Sequence, residues 1–446
     1  MLQNGILTQG GILKALTFFT LPMLVGAFLQ QAYNLTDTWM VGKYVGAEAL
    51  AAVGSSYALM VFLVSIFYGL AMGSGTVVSI HYGAGNWNLL RRCVFVSMVL
   101  IGVLTLSLTI VLFFGLDLIL QFLQVPPDVY YLMYTYLWIV FWGIPWVCLY
   151  NFYAVLLRSV GDSLTPLYFL FLSVVLNVGL DALFIIGLGW GIAGAAAATV
   201  VAQFVSAVGL VLYVYLRHPE LKCTRKDAVW DREALRDIFS FSTLTCVQQS
   251  VMNFGILLVQ GLVNSFGSVV MAAFAVAVKI DSFAYMPVQE FGNAFSTFIA
   301  QNFGARQRTR IRKGMRIAFL LAVLFSLFIS VWVFVFAEEL MLLFIPSSET
   351  GILQAGVQYL RIEGSFYVGI GILFLLYGYY RAIRLPGMSV VLTVLSFGTR
   401  VALAYLLASI PTIGVAGIWW SIPIGWFIAD AVGLVCIIRS MHVHHQ

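Results

Sequence analysis

Two carboxylates stand in stretches that are otherwise apolar: Asp37 in NLTDTWMVG and Asp181 in LNVGLDALFIIG. Each has polar neighbours at helical spacing. Gln30, Asn34 and Asp37 fall four and three residues apart, so a helix puts them on one face. Asn177 and Asp181 are separated by four, and so are Thr199 and Gln203. Two carboxylates with an amide oxygen and a hydroxyl form a ligand set for a hard cation such as Na⁺, or a seat for a shared proton. Catalysis finds no such support, because the chain offers neither HExxH nor a nucleophile with a paired base. Cys93, Cys148, Cys223, Cys246 and Cys436 are scattered without a CxxC pair, which argues against a disulfide framework or a zinc site. His442, His444 and His445 form a tail expected to be inert. No cofactor is expected, and no metal beyond a Na⁺ at the acidic pair.

The elements that carry these residues must be membrane helices. Of the 446 residues, 62% are hydrophobic and 9% charged, against about 25% charged in soluble proteins. No soluble core can hide that much apolar surface, so lipid is the solvent. Without a basic stripe interleaved with aromatics, nucleic acid is not an expected partner. At roughly 20 apolar residues per span, twelve helices are predicted: 14–41, 50–81, 93–116, 130–157, 165–187, 190–217, 235–265, 269–301, 315–338, 351–382, 386–409 and 413–438. Pro22 lies inside the first and predicts a kink. The even-numbered loops and the termini hold 19 of the 23 Lys and Arg residues. By the positive-inside rule those loops and both termini are cytoplasmic.

The halves repeat. Residues 37–94 align without a gap onto 258–315, pairing Gly46 with Gly267, Thr76 with Thr297 and Gly83-Ala84 with Gly304-Ala305. Further on, Arg158 pairs with Arg381 and Gly191 with Gly414. The expected organisation is all-α: an N-terminal lobe at 1–217, a basic cytoplasmic linker at 218–234 and a C-terminal lobe at 235–446. Paired repeats around a central site are transporter architecture. The repeat also serves as a control. Asp37 maps onto Leu258, and Asp181 onto Val401 or Ala404, so the scaffold itself does not need these carboxylates. At 1.5 Å per residue, Asp37, Asp181 and Thr199 lie at similar depth, roughly 6 to 14 Å inside the outer helix ends.

The second half has its own polar residues: Gln248, Gln249 and Asn253 on the seventh helix, and Lys279, Asp281, Gln289, Glu290 and Asn293 on the eighth. Substrate contact and plain structural hydrogen bonding are both open for them. A Lys279–Asp281 pair is one possibility. Glu363, Arg400 and Asp430 are intramembrane and carry no assigned role. Gln30, Asn34, Gln203, Asn253, Gln289, Glu290 and Asn293 are the candidate cavity residues.

The stretches NLTDTWMVGKYVGAEALAAVG, LRSVGDSLTP, LNVGLDALFIIGLGWGIAGAAAATVVAQ and FIAQNFGA resemble the multidrug and toxic compound extrusion (MATE) family, in its prokaryotic DinF-like group, over about residues 10 to 440. The resemblance implies a V-shaped pair of six-helix lobes and export of small organic compounds, cationic or amphipathic, by H⁺ or Na⁺ antiport. It implies a cation site at Asp37, Asn177, Asp181 and Thr199, and a bending first helix at Pro22. Other members use acidic residues in the C-terminal lobe, where this chain's seventh helix offers Gln248 and Gln249. A multi-pass monomer in the bacterial inner membrane is expected, with the lipid bilayer and small molecules as its partners. A lipid-linked precursor flippase of the same superfold is the alternative.

Overall fold

The computed structural model describes residues 7–122, 125–224 and 226–443; His444 and His445 lie outside them. All regular elements among these residues are helical. The chain begins with α1 (Ile12–Tyr44), α2 (Ala47–Gly83), α3 (Trp87–Phe122), α4 (Pro127–Phe141) and α5 (Ile144–Ser159). Next come α6 (Leu164–Asp181), a π-helical turn (Ala182–Gly187) and α7 (Gly191–Arg217). The later elements are α8 (Arg232–Asn264), α9 (Ser268–Gly304), α10 (Arg308–Val335), α11 (Ala337–Leu342), α12 (Thr350–Gly364), α13 (Tyr367–Ala382), α14 (Pro386–Ala408) and α15 (Val415–Val443).

Ten helices are long and apolar enough to cross a bilayer, and two bent pairs, α4/α5 and α12/α13, supply one span each to make twelve. The chain is therefore a twelve-span, all-helical membrane protein. Its exposed residues agree: Phe114 is 89% exposed, which only a lipid surface tolerates in such numbers. The predicted fourth and tenth helices are each broken near their middles, by 46° and 52°. In the first of these, Gly143 passes so close to α7 that a Cβ there would meet Gln203 Oε1 at 2.7 Å, and Pro145 removes an N–H from the next turn. The second break, at Ser365-Phe366, has no proline, yet it falls at the matching repeat position.

Contacts divide the chain into two compact units. Unit 1 comprises Thr17–Cys246; unit 2 comprises Leu7–Leu16 and the chain from Val247 on. The stretch predicted as the linker packs with unit 1, where Leu221 is buried and Arg92 Nη1 donates to Asp231 Oδ2 at 2.8 Å. Before α1, Arg310 donates to the carbonyls of Leu7, Gln9 and Gly10 at 3.1, 2.7 and 2.7 Å, within unit 2.

The repeat is written into the backbone as well. Gly46 and Gly267 take positive φ (125° and 98°) at matching turns, as do Gly191 and Gly414 (58° and 53°). At two other pairs, Gly85 with Arg306 (68° and 56°) and Gly161 with Arg384 (96° and 67°), only unit 1 has the residue that adopts this region freely.

Candidate functional site

The unit 1 site is assembled from α1, α4, α6 and α7. Asn177 and Asp181 are one turn apart on the last two turns of α6, pointing inward. The helix then widens into the π-helical turn, whose offset hydrogen bonds include Leu188 N–H to the Leu183 carbonyl at 2.8 Å. Such turns recur at functional sites because they re-aim the side chains beside them. Across from it, α7 opens with the small residues GIAGAAAAT, which let the two helices close up. A Cβ on Gly194 would already lie 3.1 Å from Phe184. This places Thr199 against Asn177.

Asp181 is fully buried and Asp37, from α1, is 9% exposed. Their carboxyl groups lie within hydrogen-bonding reach of each other. With its amide nitrogen turned to the acid, Asn177 donates to Asp181 Oδ2 at 3.0 Å and accepts from the Thr199 backbone N–H at 3.3 Å; amide orientation is assigned from such partners. Asp37 Oδ1 and Asp181 Oδ1 are both buried without a protein partner. Two adjacent carboxyls in a low-dielectric interior cannot both stay ionised unless a cation joins them. The four predicted cation-site residues therefore converge.

Two tyrosines complete the site and escaped sequence reading. Tyr33 donates to Thr199 Oγ1 at 3.3 Å, and Tyr136 on α4 lies within electrostatic range of Asp37, Asp181 and Tyr33. Tyr33 had a signal: it precedes Asp37 by four residues, which is one helix face. Nothing local marks Tyr136, because only the packing of α4 brings it in.

The remaining candidates are dispersed. Gln203 sits at the α4/α5 break, with Oε1 buried and unpartnered. Gln30 is exposed and Asn34 half-buried. α1 runs as one helix through Pro22 and packs on α6, where the space beside Gly26 is bounded by Leu167 and Leu170. In unit 2, Asn253 Nδ2 donates to the Gln249 carbonyl at 3.1 Å, and Asn293 Nδ2 to Glu290 Oε1 at 3.4 Å; Gln289 is half-buried.

Unit 2 buries a second acidic pair. Asp281 on α9 and Glu363 on α12 lie within hydrogen-bonding reach of each other and of Tyr359, with Tyr367 also reaching Asp281. Arg400 on α14 acts electrostatically on both acids. Lys279 does not join them: it is exposed while Asp281 is buried. The sequence displayed all three residues but not their convergence from three helices. Asp430 on α15 is buried elsewhere, with neither carboxylate oxygen partnered.

Outside the spans, unit 1 carries a titratable cluster. Asp162, in the turn before α6, accepts from the Thr165 backbone N–H at 3.0 Å, and its Oδ2 lies 3.7 Å from His218 Nε2. His218 Nδ1 pairs with Glu220 Oε1 at 2.8 Å. Burial alone would push the His218 pKa down, but its bonds to Asp162 and Glu220 outweigh burial and lift it to about 9. Burial would raise Asp162, yet His218 and Thr165 hold it below the ordinary carboxylate range.

Comparison with known proteins agrees with this architecture. The MatE family model matches twice, at residues 22–183 and 245–406, once per repeat. The chain is 32% identical over 391 residues to the probable multidrug resistance protein YpnP of Bacillus subtilis (strain 168), covering 87% of each. It is 29% identical over 450 residues to the probable multidrug resistance protein YoeA of the same strain, covering 98% of this chain and 95% of that one. Among solved structures, an outward-facing multidrug resistance MATE family transporter of the MOP superfamily superposes with a TM-score of 0.92 at 24% identity, over 99% of both chains.

Proposed function

This chain belongs to the MatE family of multidrug efflux transporters, which are not enzymes, and we propose that it exports small organic compounds by exchange for inward-moving H⁺ or Na⁺. The observation that supports this most directly is the buried pair Asp37–Asp181, each acid with an oxygen that no protein group satisfies. A cation bound there neutralises the pair, and its loss restores repulsion in a dry site. That is a free-energy difference a gradient can drive.

Asn177 orients Asp181, and Thr199 and Tyr33 supply further oxygens. Pro22 removes one backbone hydrogen bond from α1, the helix that carries Asp37, and makes that helix the element to bend as the pair fills and empties. Coupling requires that cation and substrate favour different conformations of the transporter. Drug-like substrates that are cationic or amphipathic fit the scarcity of intramembrane basic residues and the 15% aromatic content. Gln30, Asn34, Gln203, Asn253, Gln289, Glu290 and Asn293 are proposed to contact them. The proposed working form is a monomer in the inner membrane, and the clustering of Lys and Arg in the even-numbered loops and termini supports placing both termini in the cytoplasm.

The test is transport in proteoliposomes with pH and Na⁺ gradients imposed separately. At least one of the two gradients, imposed alone, should drive accumulation of a fluorescent organic cation such as ethidium. Accumulation indifferent to both gradients would overturn the coupling. Topology is checked in intact cells: single cysteines placed in 218–236 and 304–314 should resist a membrane-impermeant maleimide.

A further inference from the structure

Among the described acids within the spans, Asp430 is the buried one that neither acidic pair uses. It lies near the middle of α15 at 3% exposure, with both oxygens lacking a hydrogen-bond partner. Its surroundings come from α13 and α14. The Tyr377 hydroxyl is also buried without a hydrogen-bond partner, lies within electrostatic range of Asp430, and is within reach of Thr393. Thr393 Oγ1 spends its own hydrogen on the Ser389 carbonyl at 2.8 Å, which leaves lone pairs to receive another. Packing shuts the site from one side. Tyr380 donates to the Gly433 carbonyl at 2.6 Å, and a Cβ on Gly433 would meet Leu376 at 2.8 Å and Leu392 at 3.2 Å.

On the helices packed against α15, Arg361 lies over the Phe334 ring, Tyr379 packs edge-on against Tyr380 and Tyr405 is exposed; the remaining charged and titratable groups are engaged elsewhere. On α12, Tyr359 and Glu363 face Asp281. On α13, Tyr380 is bonded to Gly433 and Arg381 reaches Ser296 on α9 at 3.4 Å. On α14, Arg400 abuts Gly425, more than a turn earlier on α15, and serves the Asp281–Glu363 pair. Of the described charged groups, none acts on Asp430. The repeat again serves as a control. At the 223-residue shift between the two family matches, the unit 1 counterparts of Asp430 and Tyr377 are Ala207 and Ala154, both buried. The scaffold closes there with methyl groups, so it does not require a carboxylate and a phenol.

We propose that Asp430 is a proton-binding site of unit 2, separate from the Asp37–Asp181 pair, with the Tyr377 hydroxyl as the group that pairs with its protonated carboxyl. An ionised carboxylate without a partner is excluded from an apolar interior by its desolvation cost. A metal cation of the hard class asks for six or more oxygens, and this site offers a carboxyl and the Tyr377 hydroxyl. A single proton needs no more than that: it neutralises the acid and turns one oxygen into a donor. The proton comes from water and returns to water when α13, α14 and α15 part, so charge balances without another reactant.

The experiment is infrared spectroscopy of the purified full-length protein in lipid at neutral pH. The wild-type minus Asp430→Asn difference spectrum should contain a carboxylic-acid carbonyl band that moves to lower frequency in D₂O. The same band should persist in Asp37→Asn, which separates this proposal from the coupling reading of unit 1. Tyr377→Phe keeps the shape of the ring and should shift that band without abolishing it, which retains a readout if Asp430→Asn fails to fold. A difference spectrum without the band would overturn the proposal. So would a band that ignores D₂O, since the proton would then be sealed in, and so would a band unmoved by Tyr377→Phe.

Discussion

Unit 1 and unit 2 are built from the same repeat, and each buries a pair of carboxylates, but only unit 2 provides a counter-charge. Arg400 stands by Asp281 and Glu363, whereas no described basic group acts on Asp37 and Asp181. A buried acid pair with its own guanidinium, once it shares one proton, is neutral and needs nothing from solution. A pair without one is complete only when solution supplies the cation. On the proposed reading, the contrast separates an acid pair with an internal counter-charge from one that takes its counter-charge from solution.

The largest effect that can break this comparison is on transport. Asp37→Asn and Asp181→Asn should each abolish gradient-driven uptake into proteoliposomes, with the purified protein still monodisperse and able to bind substrate. Transport at the wild-type rate in either variant would end the assignment of the unit 1 pair. Next in size is the stability of unit 2. Arg400→Met removes the guanidinium that acts electrostatically on both acids and should destabilise unit 2. Thermal melting in detergent should show that loss, while Asp37→Asn leaves the midpoint unchanged or raises it. Equal destabilisation by both variants would erase the distinction.

A smaller effect belongs to the loops. Because His218 has its pKa raised to about 9 from 6.5, its pairing stabilises the fold fully below pH 6.5 and loses that contribution as pH rises through about 9. His218→Gln should therefore cost on the order of 1 kcal/mol at pH 6, allowing for screening, and nothing above the folded pKa. A cost that stays constant with pH would assign His218 to packing instead. The smallest effect is in the turns. Arg306→Gly and Arg384→Gly place in unit 2 the residue unit 1 already uses at these positive-φ sites. Each should gain a few tenths to about 1 kcal/mol in chemical denaturation, as left-handed strain is relieved. A loss at either would mean that the arginine side chain contributes more than its backbone costs.

Much of this was legible before any coordinates. Membrane residence, twelve spans and the repeat follow from local properties, hydropathy per span and charge per loop, and the polar residues proposed for the unit 1 site stood out by helical spacing on single helices. Asn177 with Asp181 is such a pattern, and Asp37 stood out because its repeat counterpart is Leu258. Only the tertiary structure decided what crosses between helices. Tyr136 joins the site from α4, Arg400 acts electrostatically on acids of α9 and α12, and Tyr377 comes within electrostatic range of Asp430 from another helix. It also broke two predicted helices near their middles, one of them without a proline. The physical reason is that hydropathy and helical period are set by neighbours along the chain. The partner of a buried charge is set by which helices pack together, and the chain does not write that locally.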